Sequence, residues 1–245
     1  MWRLLLLSLL LLSCTQEKIE NFHDKPTIVG IAEREAERTS KFKELVGYGV
    51  IEFKWEDENG KHREQGDFDF WKSGQHVSLR VSKVGELIVW AGCANGESWM
   101  FDFTQERSVL RMNDQELFLA DALLALQLIG FEPIPVNGDD WAKGWSVTFA
   151  EGLPSSLSRQ DQDGTWSAML RDPIGVELAE THALHWPKTP SNIDVKSTVN
   201  DVEIKLAFAG ISTVVEDEPM DRVFNHTYLT TKLNPDSILV FDESK

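Results

Sequence analysis

Two cysteines, six histidines and the aspartate-rich turns are the residues of this chain whose types could do chemistry. Cys93 follows Val89-Trp-Ala-Gly92 and precedes Ala94-Asn-Gly96. No basic neighbour in the sequence would hold a thiolate there, so a strand end or turn is expected rather than a nucleophile. His182 and His185 stand in Glu180-Thr-His-Ala-Leu-His185. This is not the His-Glu-x-x-His spacing of a zinc site, and on a strand residues three apart face opposite sides, so no metal is expected. Asp161-Gln-Asp-Gly-Thr165 begins like a calcium loop but lacks the remaining ligands and the closing glutamate. It reads as a hairpin turn. The chain has no Gly-x-Ser-x-Gly elbow, phosphate loop or Gly-x-Gly-x-x-Gly turn. With no nucleophile–base pair in view, neither an enzyme nor a cofactor is expected.

Cys14 stands in a different setting. It closes the run Met1-Trp-Arg-Leu-Leu-Leu-Leu-Ser-Leu-Leu-Leu-Leu-Ser-Cys14, in which Arg3 precedes an apolar stretch from Leu4 to Leu12. That stretch is far shorter than the roughly 20 residues that span a bilayer. It has the length of a signal-peptide core. Leu11-Leu-Ser-Cys14 resembles a bacterial lipobox, which implies diacylation of the Cys14 sulfur, cleavage before it, and acylation of the new amino terminus. The alternatives are an ordinary secretory signal and a short buried helix with a chance cysteine. Two or three acyl chains anchor a protein stably where one does not. Residues 1–13 are therefore expected to be a lipoprotein signal peptide, 14–25 a lipidated terminus and short polar tether, and 26–245 a single domain.

Charge narrows the partners. Forty acidic side chains against 24 basic ones leave a net charge of −16. Such a surface repels nucleic acid and anionic headgroups, and no Lys/Arg cluster opposes it. A chain of about 230 residues after cleavage buries one sizeable core, at a size common for all-β domains. With Cys14 acylated, Cys93 has no disulfide partner within the chain. A monomer is expected.

Hydrophobic periodicity supplies the elements. From Pro26 the pattern is helical, with Ile28, Val29, Ala32, Ala36 and Phe42 among charged residues and Gly47 past the end. The period then becomes two. Ile51, Phe53 and Trp55 share a face. Phe68 and Phe70 alternate with Asp67 and Asp69, and Val77, Leu79 and Val81 alternate with Ser78, Arg80 and Ser82. Leu87 to Ala91 is nearly all apolar, Trp99, Phe101 and Phe103 alternate again, and Val109 to Met112 is one more candidate. Turn residues separate these runs, which predicts an antiparallel meander with one apolar face. Asn113-Asp114 then caps a predicted helix from Gln115 to Ile129, apolar almost all round and ended by Gly130. Residues 131–140 read as a loop. Further strands are predicted at Trp145–Ala150, Leu157–Gln160, Trp166–Arg171, Val176–Leu184, Ile193–Thr198, Val202–Ala209 and Ser237–Phe241, with Glu216–Phe224 a short helix or ordered loop.

Over residues 30–130 the order of features resembles the LolA/LolB superfamily of periplasmic lipoprotein carriers. His62-Arg-Glu-Gln-Gly-Asp-Phe-Asp-Phe-Trp71 leads through a turn to Val77-Ser-Leu-Arg-Val81. Gly85-Glu-Leu-Ile-Val-Trp90, a Gly/Asn turn and Glu97-Ser-Trp-Met-Phe-Asp102 follow. One feature departs from that pattern. In LolA an arginine followed by proline stands in the turn after the aromatic strand, whereas this chain has Lys72-Ser-Gly74, so arginine-dependent lid control does not carry over. A lipidated Cys14 fits LolB, itself a lipoprotein, better than soluble LolA. The resemblance implies a mainly β, α+β fold. Its strongly curved antiparallel sheet would form an unclosed half-barrel, with helices as plug and lid and an apolar cavity for acyl chains. The expected lining is Ile51, Phe53, Trp55, Phe68, Phe70, Leu79, Val81, Val89, Trp99 and Phe101, with Phe118 and Leu123 from the apolar helix. Nine tryptophans in the chain suit an aromatic-lined interior, or simply a packed core. Expected partners are the membrane through Cys14, a hydrophobic ligand such as lipoprotein acyl chains, and a periplasmic carrier. Thr15, in place of an aspartate after the cysteine, favours the outer membrane. The alternative is a structural or regulatory envelope lipoprotein with the same fold and a filled core.

Overall fold

The computed structural model describes residues 27–57, 60–162, 164–178, 187–198, 201–213 and 220–241. Cys14 with its signal, the His182/His185 pair and the acidic run at 216–218 lie outside the described residues. Helix α1 (Ile28–Thr39) starts at Thr27, whose hydroxyl accepts the Gly30 N–H at 3.1 Å. It ends well before Gly47, which already lies within the first strand. A meander of six strands follows: β1 (Glu44–Asp57), β2 (Gly60–Ser73), β3 (His76–Lys83), β4 (Glu86–Ala94), β5 (Glu97–Asp102) and β6 (Val109–Met112). Next come the short helix α2 (Ala122–Leu128) and a two-stranded hairpin, β7 (Val136–Asn137) and β8 (Asp140–Trp141). A second meander comprises β9 (Trp145–Ala150), β10 (Leu153–Gln160), β11 (Thr165–Gly175), β12 (Lys188–Ser197) and β13 (Glu203–Ser212). Helices α3 (Met220–Val223) and α4 (His226–Leu233) then lead to β14 (Ser237–Val240).

Twelve strands form one sheet in the order β14-β6-β5-β4-β3-β2-β1-β13-β12-β11-β10-β9. All neighbours are antiparallel except β14, which runs parallel to β6. The sheet is long, curved and unclosed, an open half-barrel. Register shifts at Tyr48/Gly49, Val81/Ser82 and Pro154/Ser156 mark bulges, which bend strands and increase their twist. Gly49 is required at the first of them, since a Cβ there would meet the Ala207 carbonyl oxygen at 2.0 Å.

This strand order dictates what covers each face. The first meander ends at β6, next to the edge strand β14, and the second begins at the opposite edge, β9. Residues 113–144 must therefore cross the whole sheet, and they do so over its inner face. The second meander ends at β13, beside β1 in mid-sheet, and the chain must then reach the β6 edge to place β14. Residues 220–236 make that crossing over the outer face. Two apolar cores result. The inner one includes Phe42, Phe68, Phe70, Leu126, Phe131, Ile193 and Leu206. The outer one packs Trp71, Trp90, Trp99, Phe101, Leu110 and Met112 under Val223, Phe224 and Leu229. Burying each large apolar side chain contributes about 1.5–3 kcal/mol.

Several sequence expectations change at the crossings. The helix expected over 115–129 is confined to Ala122–Leu128, and its cap is Asp121, whose carboxylate accepts the Leu124 N–H at 2.9 Å. Residues 115–121 are turns and bends. The expected cap residues are engaged otherwise. Asn113 is left-handed at φ 56°, and the Asp114 carboxylate takes the Glu116 N–H and an ion pair with Arg111. The ring of Phe118, 5.7 Å from that of Trp166, holds this segment to the second meander. No strand forms at 176–178, where only Glu177 bridges to Ser212; 179–184 lie outside the described residues. The β7–β8 hairpin falls in the expected loop. Helix α4, with its Asn225 cap, had no counterpart in the sequence reading. The Asp161 turn is a hairpin turn between β10 and β11, Asp161 accepting the Gly164 N–H at 3.1 Å.

Candidate ligand cavity

Inward-facing positions follow from the ladder registers. Ile51 of β1 sits opposite Leu206 of β13, Phe70 of β2 opposite Leu79 of β3, Leu79 opposite Ala91 of β4, and Ala91 opposite Met100 of β5. Between this face and the 113–131 crossing lies a cavity of about 670 Å³. Its floor is the sheet, and Leu119, Ala125, Leu126 and Ile129 form its roof.

Beside the cavity, around Phe70, the inner core is aromatic. Phe131 inserts between Phe42, Phe70 and Phe208, with ring centroids 6.0, 5.5 and 5.6 Å away. Two buried cations tie the crossing segment down at this end. The Lys72 ammonium donates to the Phe42 carbonyl at 2.7 Å and pairs with Glu132 at 2.9 Å. The Arg38 guanidinium pairs with Glu35 at 2.7 Å, donates to the Gly130 carbonyl at 2.8 Å, and lies 5.4 Å from the Phe42 ring centre. Neither is exposed by more than 1%. A buried charge is tolerated only when paired and hydrogen-bonded, which both are.

The other end is polar. There the ends of β1 and β5, the start of β6 and the 113–118 turns bring Lys54, Trp55, Glu56, Asp102, Arg111 and Glu116 to the rim. The Trp55 indole stacks on His62, with ring centres 4.9 Å apart. Each cation at the rim is already matched. Lys54 pairs with Glu52 at 3.0 Å and Glu203 at 3.5 Å, and Arg111 pairs with Asp114. Hydrogen bonds from Lys54 and Arg63 hold the Glu52 carboxyl below its ordinary value, and Glu52 in turn raises Lys54. The result is an apolar cavity with charged side chains at one end.

The expected lining is brought together in part. Ile51, Phe53, Trp55, Phe70, Leu79, Val89 and Phe118 border the cavity. Phe68 and Val81 face inward but are buried in the inner core beside it, Phe68 against the Phe208 ring at 5.0 Å. Trp99 and Phe101 are not in the cavity. The alternation expected for their strand holds, but its inward positions are Met100 and Asp102; Trp99 and Phe101 face outward into the core beneath α4. Leu123 lies on the solvent side of α2, 39% exposed. Among the described tryptophans only Trp55 borders the cavity, which is otherwise lined mostly by aliphatic side chains. The sequence reading missed Lys72, Glu132 and Arg38. Lys72 had a signal, since it occupies an inward position of β2 two residues after Phe70. Cys93 also faces inward, and burial pushes its thiol pKa up, against nucleophilic use.

Among the described residues no group of His, Cys, Asp or Glu could hold a metal, and no helix is long and apolar enough to cross a membrane. No protein-family model and no curated protein matches the chain. Solved structures resemble it at low identity. It is similar to a LolA superfamily protein from Nitrosomonas europaea (TM-score 0.46, 9% identity, 82% of this chain and 99% of that one). It is also similar to a domain described as an outer membrane lipoprotein-sorting protein from Vibrio parahaemolyticus (0.42, 12%, 82% and 97%). A third similar structure is a DUF1329 family protein from Desulfovibrio piger (0.43, 12%, 84% and 100%). At such identities the function must be read from the cavity itself.

Proposed function

We propose that this protein is an envelope lipoprotein that binds the acyl part of an amphiphile, such as a lipoprotein, and passes it on or inserts it into a membrane. The observation that carries this reading is the apolar cavity under the crossing segment, with polar and charged side chains gathered at one end. A hydrocarbon tail in such a site is withdrawn from water while its head remains at the rim, which contributes about 0.8 kcal/mol per methylene. No bond is made or broken. Release needs only a membrane or a second cavity that offers the tail equal burial.

The domain is held at the membrane by acyl chains on Cys14, with the outer membrane favoured by Thr15. The gate is the turn segment 115–121. Its backbone forms turns and bends rather than regular helix, whereas the chain beyond α2 is pinned through Gly130 and Glu132.

The direct test is binding of a fluorescent acyl probe by the chain starting at Thr15. All described buried side chains lie between Glu35 and Leu229, so this chain keeps both cores. Saturable binding that Phe118→Ala accelerates is expected. A folded protein that binds no probe would sink the reading and favour a structural lipoprotein.

A further inference from the structure

The two edges of the large sheet are unlike. At β9 the exposed positions are Ser146, Thr148 and Ala150, while Trp145, Val147 and Phe149 are half-buried. At β14 every position is exposed, and after Ser237 the residues are Ile238, Leu239 and Val240. Phe241 follows, also exposed, with the Arg111 guanidinium over its ring. Native proteins blunt such an apolar edge with charge, proline or a covering segment unless something pairs with it. We propose that β14 is a docking edge for an extended apolar segment of another protein, flanked by basic residues, which adds to the sheet as a further strand. The backbone identifies the receiving residues. The Ser237 and Phe241 N–H groups donate to the Ser108 and Met112 carbonyls at 3.2 and 3.0 Å. Successive residues of a strand direct their backbone groups to opposite sides. Ile238 and Val240 therefore aim their N–H and C=O groups away from β6, and among the described residues no strand lies on that side. Their side chains stand in line with Leu110 and Met112 of the outer core, but are 53% and 68% exposed. The outer apolar face thus runs on uncovered to the edge.

Backbone and charge together select the occupant. A bilayer would bury the apolar side chains but leave the outward N–H and C=O groups of Ile238 and Val240 without partners, which hydrocarbon does not tolerate. An incoming strand supplies those partners. A second copy of the chain is opposed by charge. Antiparallel pairing about a two-fold axis, with Ile238 against Val240, brings the Asp236 before one strand towards the Asp242-Glu243 after the other, between molecules that each carry −16. Four residues, about 13 Å of strand, also fall far short of the roughly 1,200 Å² that a stable dimer buries. The same acids at both ends of β14 attract lysine or arginine on either side of an apolar segment.

The test is a titration of the chain starting at Thr15 with a set of labelled peptides, each with Lys-Lys at both ends and a centre drawn from Val, Ile, Thr and Phe. Affinity is read by fluorescence anisotropy, and the place of binding by amide exchange. One peptide per protein is expected, with slowed exchange at Ile238 and Val240 and none at β9. Val240→Pro removes an outward N–H and no bond to β6, a position at which an edge strand accepts proline. It should weaken binding at least fivefold, as a lost strand hydrogen bond does. Ile238→Lys, at an exposed position, should do the same and keeps the test open if the proline variant fails to fold. Peptides with glutamate in place of the end lysines should bind at least tenfold more weakly at low salt, and added salt should narrow the difference. No binding by any of the peptides, binding that neither substitution weakens, or protection at β9 instead would overturn the proposal. So would protection of Ile238 and Val240 by dimerisation of the protein alone, or by uncharged phosphatidylcholine vesicles.

Discussion

The two faces of one sheet bury aromatic and aliphatic side chains to opposite ends. On the outer face Trp71, Trp90, Trp99 and Phe101 pack ring against ring under α4, with Trp71–Trp90 centroids 6.2 Å and Trp99–Phe101 centroids 5.8 Å apart. Trp99 lies directly over Gly92, where a Cβ would come within 2.3 Å of the indole. On the inner face Phe42, Phe68, Phe70, Phe131 and Phe208 also pack together, but beside them the crossing segment does not fill the space over the sheet. The cavity is found where Ile, Leu, Val and Ala predominate and face a roof that stands off from them.

The comparison can be broken most severely at Trp99. Trp99→Ala should cost about 3–5 kcal/mol in urea unfolding, because the ring is fully buried, yet leave probe affinity unchanged in the folded fraction. Trp99→Phe should cost much less, since the indole N–H has no hydrogen-bond partner among the described residues. Lost probe affinity in folded Trp99→Phe would mean that the two faces are not independent. A smaller loss, about 3 kcal/mol, is expected for Glu132→Ala, which leaves the buried Lys72 ammonium with only the Phe42 carbonyl among the described residues. Lys72→Met made together with it should recover much of that loss, which a double-mutant cycle would show.

The inner face should respond in the reverse manner. Ala91→Phe places a ring in the cavity and should weaken probe binding tenfold or more while changing stability by about 1 kcal/mol or less, as the space is there to receive it. A large stability loss with unchanged binding would show that the cavity closes in solution. The smallest effect concerns the sheet edge. Hydrogen bonds from the Ser108 hydroxyl and N–H hold the Asp236 carboxyl below its ordinary value of 3.8. A carboxyl with a lowered folded-state pKa stabilises fully above its unfolded value and loses that contribution as pH falls through the folded one. Amide exchange in β14 should therefore quicken selectively below about pH 4, while β2 and β3 remain protected. Uniform loss of protection would place the acid-sensitive group elsewhere.

The first half of the sheet was readable because local rules decide it. Each strand from β1 to β6 pairs with its sequence neighbour through a turn, so a period of two and the turn residues suffice. Ile51, Phe53, Phe70, Leu79 and Val89 were read as apolar strand positions for that reason, while the expectation that they line a cavity came from the resemblance. The same rule misplaced Trp99 and Phe101. Alternation separates two faces without saying which is inward, and a sheet apolar on both sides carries no further mark. Residues 115–121 were misread because an all-round apolar helix and an apolar segment folded over a sheet share one composition.

By itself the sequence determined the meander, the existence of the first helix, the acidic surface and the signal-like run before Cys14, all of which depend on residues close together in the chain. Only the tertiary structure decided which face holds the cavity and how large it is. Those depend on β13 returning to β1, which forces one connection across each face, and on contacts between distant residues. Phe131 among Phe42, Phe70 and Phe208, Lys72 with Glu132, and Arg38 with the Gly130 carbonyl are formed by chain separations that no local periodicity encodes.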